Sequence, residues 1–100
     1  FWAVQGMAAE LTTGALVMSK AKESGKRVSI LVATNNASFT KKATGRITFS
    51  CDEGQKVDEA ITKAIQTGEG QTVWLNAKGI NKEGVQVSDF NFEWTLKVKA

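Results

Sequence analysis

Apolar residues recur at helical spacing over the first quarter of the chain, at strand spacing to about residue 51, at helical spacing again over 55–66, and at strand spacing to the end. Residues 1–22 hold good helix formers and no proline, and they run into a Ser24-Gly25 stop, which predicts one long helix. At 3.6 residues per turn Val4, Met7, Leu11, Ala15 and Met18 share one side of it. The opposite side collects Ala3, Gly6, Glu10, Thr13, Gly14 and Val17. Only the Glu10 side is polar, so the pattern predicts a helix covered on most sides.

The stretch RVSILVATNNASF, residues 27–39, is rich in β-branched residues and starts with apolar side chains on both alternating sets. That predicts a strand covered on both faces at its start. A basic segment from Thr40 to Gly45 turns the chain into RITFSC, where Ile47, Phe49 and Cys51 share a face. Over 55–66 Val57, Ala60, Ile61, Ala64 and Ile65 keep the i, i+3, i+4, i+7, i+8 rule, and Glu59 with Lys63 forms an exposed i,i+4 pair. This predicts a short surface helix ended by Gly68. Two further strands, QTVWLNAKG and VQVSDFNFEWTLKVKA, flank the turn Asn81-Lys82-Glu83-Gly84. In the last, Phe90, Phe92, Trp94, Leu96 and Val98 alternate while Val85 and Val87 sit on the other parity, so a bulge near Ser88-Asp89 is expected. The sum is a single α+β domain over 1–100, an antiparallel meander curled around a long central helix.

Glu10 is the only charged residue among the first nineteen, and a buried carboxylate is costly unless paired or used. Two readings stay open for it. Glu10 is either satisfied by a local hydroxyl such as Thr13 inside a structural helix, or it belongs to a site, with Gly6 and Gly14 opening room for a ligand. A membrane span is the weaker third reading, because a central acid would cost on the order of 3 kcal/mol in hydrocarbon.

Composition narrows the chemistry. With no histidine and one cysteine, Ser-His-Asp and Cys-His relays, the usual zinc sites and an intrachain disulfide are excluded. Cys51 is then a small core residue. The net charge of +3 comes from scattered lysines and acids, which argues against a nucleic-acid groove and is compatible with an anionic small ligand. A lone thiol without a signal-peptide pattern points to the cytoplasm, and the initial Phe1 points to a chain cut from something longer. A chain of this length buries only roughly two thirds of its unfolded surface, so assembly would help it.

Three stretches carry a family resemblance. MAAELTTGAL is similar to the central helix of the hotdog fold, in which a carboxylate precedes a small, Gly-containing turn. ASFTKKATG is similar to that family's strand-exit motif Asn-Phe-Leu-Arg-Pro-Ala followed by Gly, with Ser38 at the Asn place, Phe39 at the Phe, Lys41 at the Arg and Lys42 at the Pro. NKEGVQVSDFNFEW is similar to the last hairpin. In this order they make the whole chain resemble the hotdog thioesterase superfamily, near an uncharacterised bacterial thioesterase-like branch. The family's N-terminal strand, and the His-Gly-Gly or Asn-His loop before the helix, are missing from this sequence.

The resemblance implies hydrolysis of an acyl-coenzyme A or related thioester, with Glu10 as general base on water or as nucleophile. It implies oxyanion donors at the helix N-terminus, near Phe1 to Val4, and in the missing loop. Gly6, Gly14 and Phe39 would line the acyl site, and Thr13 would orient Glu10 or the water. It implies no metal and no cofactor, coenzyme A entering as part of the substrate. The expected partner is a second copy, in a homodimer or dimer of dimers, with no nucleic acid and no membrane. The alternative is a noncatalytic hotdog module that binds an acyl or other apolar ligand, or serves as an assembly unit.

Overall fold

A computed structural model of the chain describes residues 2–41 and 45–99. Phe1, read above as the helix start, and Lys42, at the proline place of the strand-exit motif, lie outside the described residues. The elements follow in the order α1 (Trp2–Glu23), β1 (Val28–Phe39), β2 (Ile47–Ser50), α2 (Gly54–Thr67), β3 (Gln71–Asn81) and β4 (Gln86–Val98).

Glycine marks the ends where the pattern placed them. Gly25 (φ 72°), Gly68 (φ 72°) and Gly84 (φ 81°) hold left-handed backbone after α1, after α2 and in the β3–β4 turn. The Gly68 N–H closes α2 on the Ala64 carbonyl at 2.9 Å. Val57, Ile61 and Ala64 form the buried side of α2, while Ile65 is exposed. Glu59 accepts from the Gln55 amide, and no Glu59–Lys63 ion pair forms among the described residues.

All strand pairs are antiparallel, in the order β1-β4-β3-β2. This corrects the meander: β1 crosses over to pair with β4, and β2 occupies the opposite edge. The β3–β4 ladder steps from Gly79↔Ser88 to Ile80↔Gln86, leaving Val87 as the extra residue. The bulge thus sits just before the expected Ser88-Asp89, and it turns both Val87 and Ser88 into the interior. A second irregularity falls between Val32 and Thr34 of β1.

The core lies on one face of β3 and β4. Val73, Leu75, Ala77, Phe90, Phe92, Trp94 and Leu96 pack there against Ala9, Val17 and Ala21 of α1 and Val57 and Ile61 of α2. Helix α1 packs on α2, β2, β3 and β4, whereas β1 is held through β4. Consequently the core-side residues of β1, Val28, Ile30 and Val32, are only half-buried.

The helix is oriented opposite to what its large side chains suggest. Val4, Met7, Leu11 and Met18 are 72, 64, 68 and 63% exposed, while Gly6, Ala9, Thr13, Gly14 and Val17 are buried against the sheet. Close approach explains the choice. A Cβ on Gly14 would stand 3.3 Å from the Trp94 ring, so this side of the helix lets that ring of β4 come in under the backbone. Among the described residues, no helix is long and apolar enough to cross a membrane.

Candidate functional site

The five residues singled out by sequence divide between two places on α1 and one on β1. Glu10 is exposed, on the flank between the buried small residues and the uncovered apolar stripe. Its carboxylate has no hydrogen bond or ion pair among the described residues. The expectation of a buried acid is therefore corrected for the single chain.

Thr13 faces the sheet and does not reach the Glu10 carboxylate. Its hydroxyl accepts from the Trp94 indole N–H at 3.1 Å and donates to the main-chain carbonyl of Glu10 at 3.0 Å. A buried hydroxyl that donates to the helix and accepts from the sheet anchors one to the other, and the positioning of water or carboxylate expected of Thr13 is not what this geometry does. Gly14 makes room for Trp94, and Gly6 is buried on the same side. Phe39, at the end of β1, is 45% exposed and meets Phe90 edge-on, with ring centroids 5.6 Å apart. Phe90 also meets Phe49 edge-on at 5.7 Å, so an aromatic group joins the ends of β1, β2 and β4.

Cys51 is half-buried beside this core. Burial pushes its thiol up, which keeps it protonated and a poor nucleophile.

A polar arrangement on the outer sheet face was not found from sequence. Asn36, Asn91 and Asn76 stand in one row across β1, β4 and β3. Asn91 Nδ2 donates to Asn36 Oδ1 at 3.0 Å, and Asn76 Nδ2 donates to Asn91 Oδ1 at 3.0 Å and to Asp89 Oδ1 at 2.9 Å. Lys78 Nζ donates to Asn76 Oδ1 at 2.8 Å. These groups satisfy one another, which pins the strand register. Only their even spacing within each strand is visible in the sequence, because the row needs the pairing.

Glu53 completes the set. Strand β2 ends at Ser50, opposite Lys78, so β3 continues beyond it with an open edge. There the Glu53 carboxylate accepts the main-chain N–H of Asn76 at 2.7 Å and binds Lys56 Nζ at 3.0 Å. Burial works to raise its pKa, but the Asn76 N–H and the Lys56 ammonium outweigh it and hold the carboxyl below the ordinary range. A lowered acid pKa means the unfolded chain binds the extra proton, so this contact contributes stability above about pH 4.3 and loses it as pH falls through the folded value. Unfolding of wild type and Glu53→Gln followed by urea should differ at pH 7 and converge on acidification below about pH 4. A difference independent of pH would assign the stabilisation to something other than the ionised carboxylate.

The helix laid against a curled antiparallel sheet, with the strand after α1 paired to the last strand, is the hotdog arrangement of thioesterase-like proteins. In solved structures the chain resembles a protein of unknown function from Pseudomonas aeruginosa described as a probable thioesterase, with a TM-score of 0.84 and 19% identity. The match covers 99% of this chain and 65% of that one, so this chain spans just under two thirds of that protein's length. At this identity the likeness establishes a thioesterase-like fold. No protein-family model and no curated protein matches the chain.

Proposed function

We propose that this chain is a thioesterase-like hydrolase of an acyl-coenzyme A or related thioester, that Glu10 supplies the reacting carboxylate, and that a second copy is needed to complete the site. The observation carrying this reading is the uncovered apolar face of α1 with one acid on its flank. Four large apolar side chains, Val4, Met7, Leu11 and Met18, stand in water beside Glu10, and the core-side residues of β1 are half-covered. Such a face on a helix marks an interaction surface. A two-fold partner laid there would take Glu10 out of water and build an acyl-sized apolar space next to it.

As general base, the Glu10 carboxylate would remove a proton from a water that attacks the thioester carbonyl, and the thiol would leave with the acid formed. As nucleophile it would form a mixed anhydride and expel the thiolate, and water would then split the anhydride, returning the carboxylate and supplying the proton that the thiolate takes up. Main-chain N–H groups at the first turn of α1 would meet the developing oxyanion. Phe39 would border the acyl group from the sheet end. Coenzyme A would enter only as part of the substrate, in a cytoplasmic setting.

A noncatalytic module that binds an acyl or other apolar ligand is the second reading, and the unpartnered, exposed Glu10 favours it. Turnover of acyl-coenzyme A thioesters of increasing chain length separates the two. Glu10→Gln is expected to lower kcat by about 10²- to 10⁴-fold with KM little changed and the oligomer intact. Equal turnover in both proteins would remove Glu10 from the mechanism, and none in either with ligand still bound would leave the binding module.

A further inference from the structure

We infer that the outer face of the sheet, where β1 begins and β4 ends, binds a phosphate-bearing anion between Arg27, Lys97, Lys99 and Ser29. Register places these residues together. Val28 pairs with Val98 and Ser29 with Lys97, and the Lys99 N–H donates to the Arg27 carbonyl at 2.8 Å, so Arg27 stands opposite Lys99 one step further along the ladder. Residues directly opposite in an antiparallel pair turn their side chains to one side, and alternate residues along a strand share that side. Leu96 is buried in the core, so Lys97 and Lys99 face away from it, and Ser29 and Arg27 face away with them. All four are exposed. Two rows of donors result, Arg27 with Lys99 and Ser29 with Lys97, about 5 Å across and about 7 Å apart along the strands.

No acid among the described residues pairs with these cations. Like charges directly opposite in a sheet repel, yet Arg27 faces Lys99 and Lys97 lies diagonal to Arg27. Along β4 the next acid on this face is Glu93, four residues before Lys97 and about 13 Å away, beyond the screening length of about 8 Å. Its carboxylate accepts from Thr34. Glu23 lines the groove between α1 and α2 with Lys20 and Asp58, on the helix side of the sheet. Glu69, two residues before Gln71, falls on the core-side parity of Val73 and Leu75. Gln71 pairs with Leu96, so the residue beside Lys97 is Gly70, which adds no side chain. Three cations and a hydroxyl suit a phosphate, with nearly two negative charges and three acceptor oxygens, better than a carboxylate with one charge. Arg27 can fork two N–H groups onto it. Leu31, 65% exposed and next after Ser29 on this side of β1, gives the site an apolar border, so a soluble phosphate compound and a lipid headgroup are both sources of this chemistry. The site lies across the sheet from Glu10 and does not rest on the proposed hydrolysis.

The test titrates the full chain with inorganic pyrophosphate by calorimetry, and floats it with phosphatidylcholine vesicles made with and without phosphatidic acid, at one ionic strength throughout. Pyrophosphate binding assigns the site to a soluble phosphate compound, and binding to the phosphatidic acid vesicles alone assigns it to a lipid headgroup. Whichever probe binds, Arg27→Gln with Lys99→Gln is expected to weaken it by about tenfold or more. Lys63→Gln with Lys82→Gln removes the same charge from α2 and the β3–β4 turn, where neither lysine has an ion pair among the described residues, and should leave the affinity unchanged. Arg27→Lys should fall between wild type and the first double variant, because it keeps the charge and loses the fork. All these positions are exposed, so the variants should fold, which circular dichroism checks. Binding of neither probe, or an equal loss in the two double variants, would overturn the assignment, the second by leaving only diffuse positive charge.

Discussion

Trp94→Ala is expected to lower the free energy of unfolding by about 3–5 kcal/mol, read from urea titration at neutral pH. The ring is 7% exposed, lies under Gly14 and donates its indole N–H to Thr13, which in turn donates to the Glu10 carbonyl. Truncation removes the packing between α1 and β4 and the indole donor together. Trp94→Phe should recover most of the loss, because Thr13 keeps its helix carbonyl and only one neutral hydrogen bond, about 1 kcal/mol, is gone. The neighbouring glycine gives an internal check. Gly14→Ala should be unfavourable in wild type, where the new Cβ presses on the ring at 3.3 Å, yet favourable by up to about 1 kcal/mol in the Trp94→Ala background, where helix propensity acts alone. A Trp94→Ala loss below about 1 kcal/mol would mean that α1 is not held on the sheet through this contact.

That contact also shows where sequence reasoning succeeds and where it stops. The ends of α1, α2 and the β3–β4 turn were legible because Gly25, Gly68 and Gly84 punctuate them locally. The alternation from Phe90 to Leu96 named the buried face of β4, and the odd parity of Val87 announced the bulge. The facing of α1 was not legible. A helix that is apolar nearly all round carries little directional signal, and size misleads when the sheet demands close backbone approach. Gly6 and Gly14 read as room for a ligand, whereas the structure sets the Trp94 ring beneath Gly14. Strand order, the asparagine row and the Glu53–Asn76 contact depend on pairings between distant segments, which no local pattern encodes. The exposure of Glu10 follows from the same reversal, since the acid rides at the edge of the face that turned outward.

The second large effect concerns that face. Met7→Glu with Leu11→Glu is expected to convert a dimer into a monomer in sedimentation at micromolar concentration, and to abolish thioester turnover as fully as Glu10→Gln does. Both side chains are more than three fifths in water in the single chain, at 64 and 68% exposure, so the folded monomer has little reason to notice their loss. Its own unfolding free energy should shift by no more than about 0.5 kcal/mol. Burial of the same side chains in a two-fold contact would instead place two carboxylates per chain in an apolar interface, at several kcal/mol each in desolvation. The dependence of Tm on protein concentration, present in wild type and absent in the variant, reads the same linkage without sedimentation. Glu10 is untouched by these substitutions, so loss of turnover in a folded monomer would assign the missing part of the site to the second copy. Turnover retained by that monomer would show that the carboxylate works in open water or not at all. A wild-type protein that sediments as a monomer would remove the proposed cover of α1 altogether.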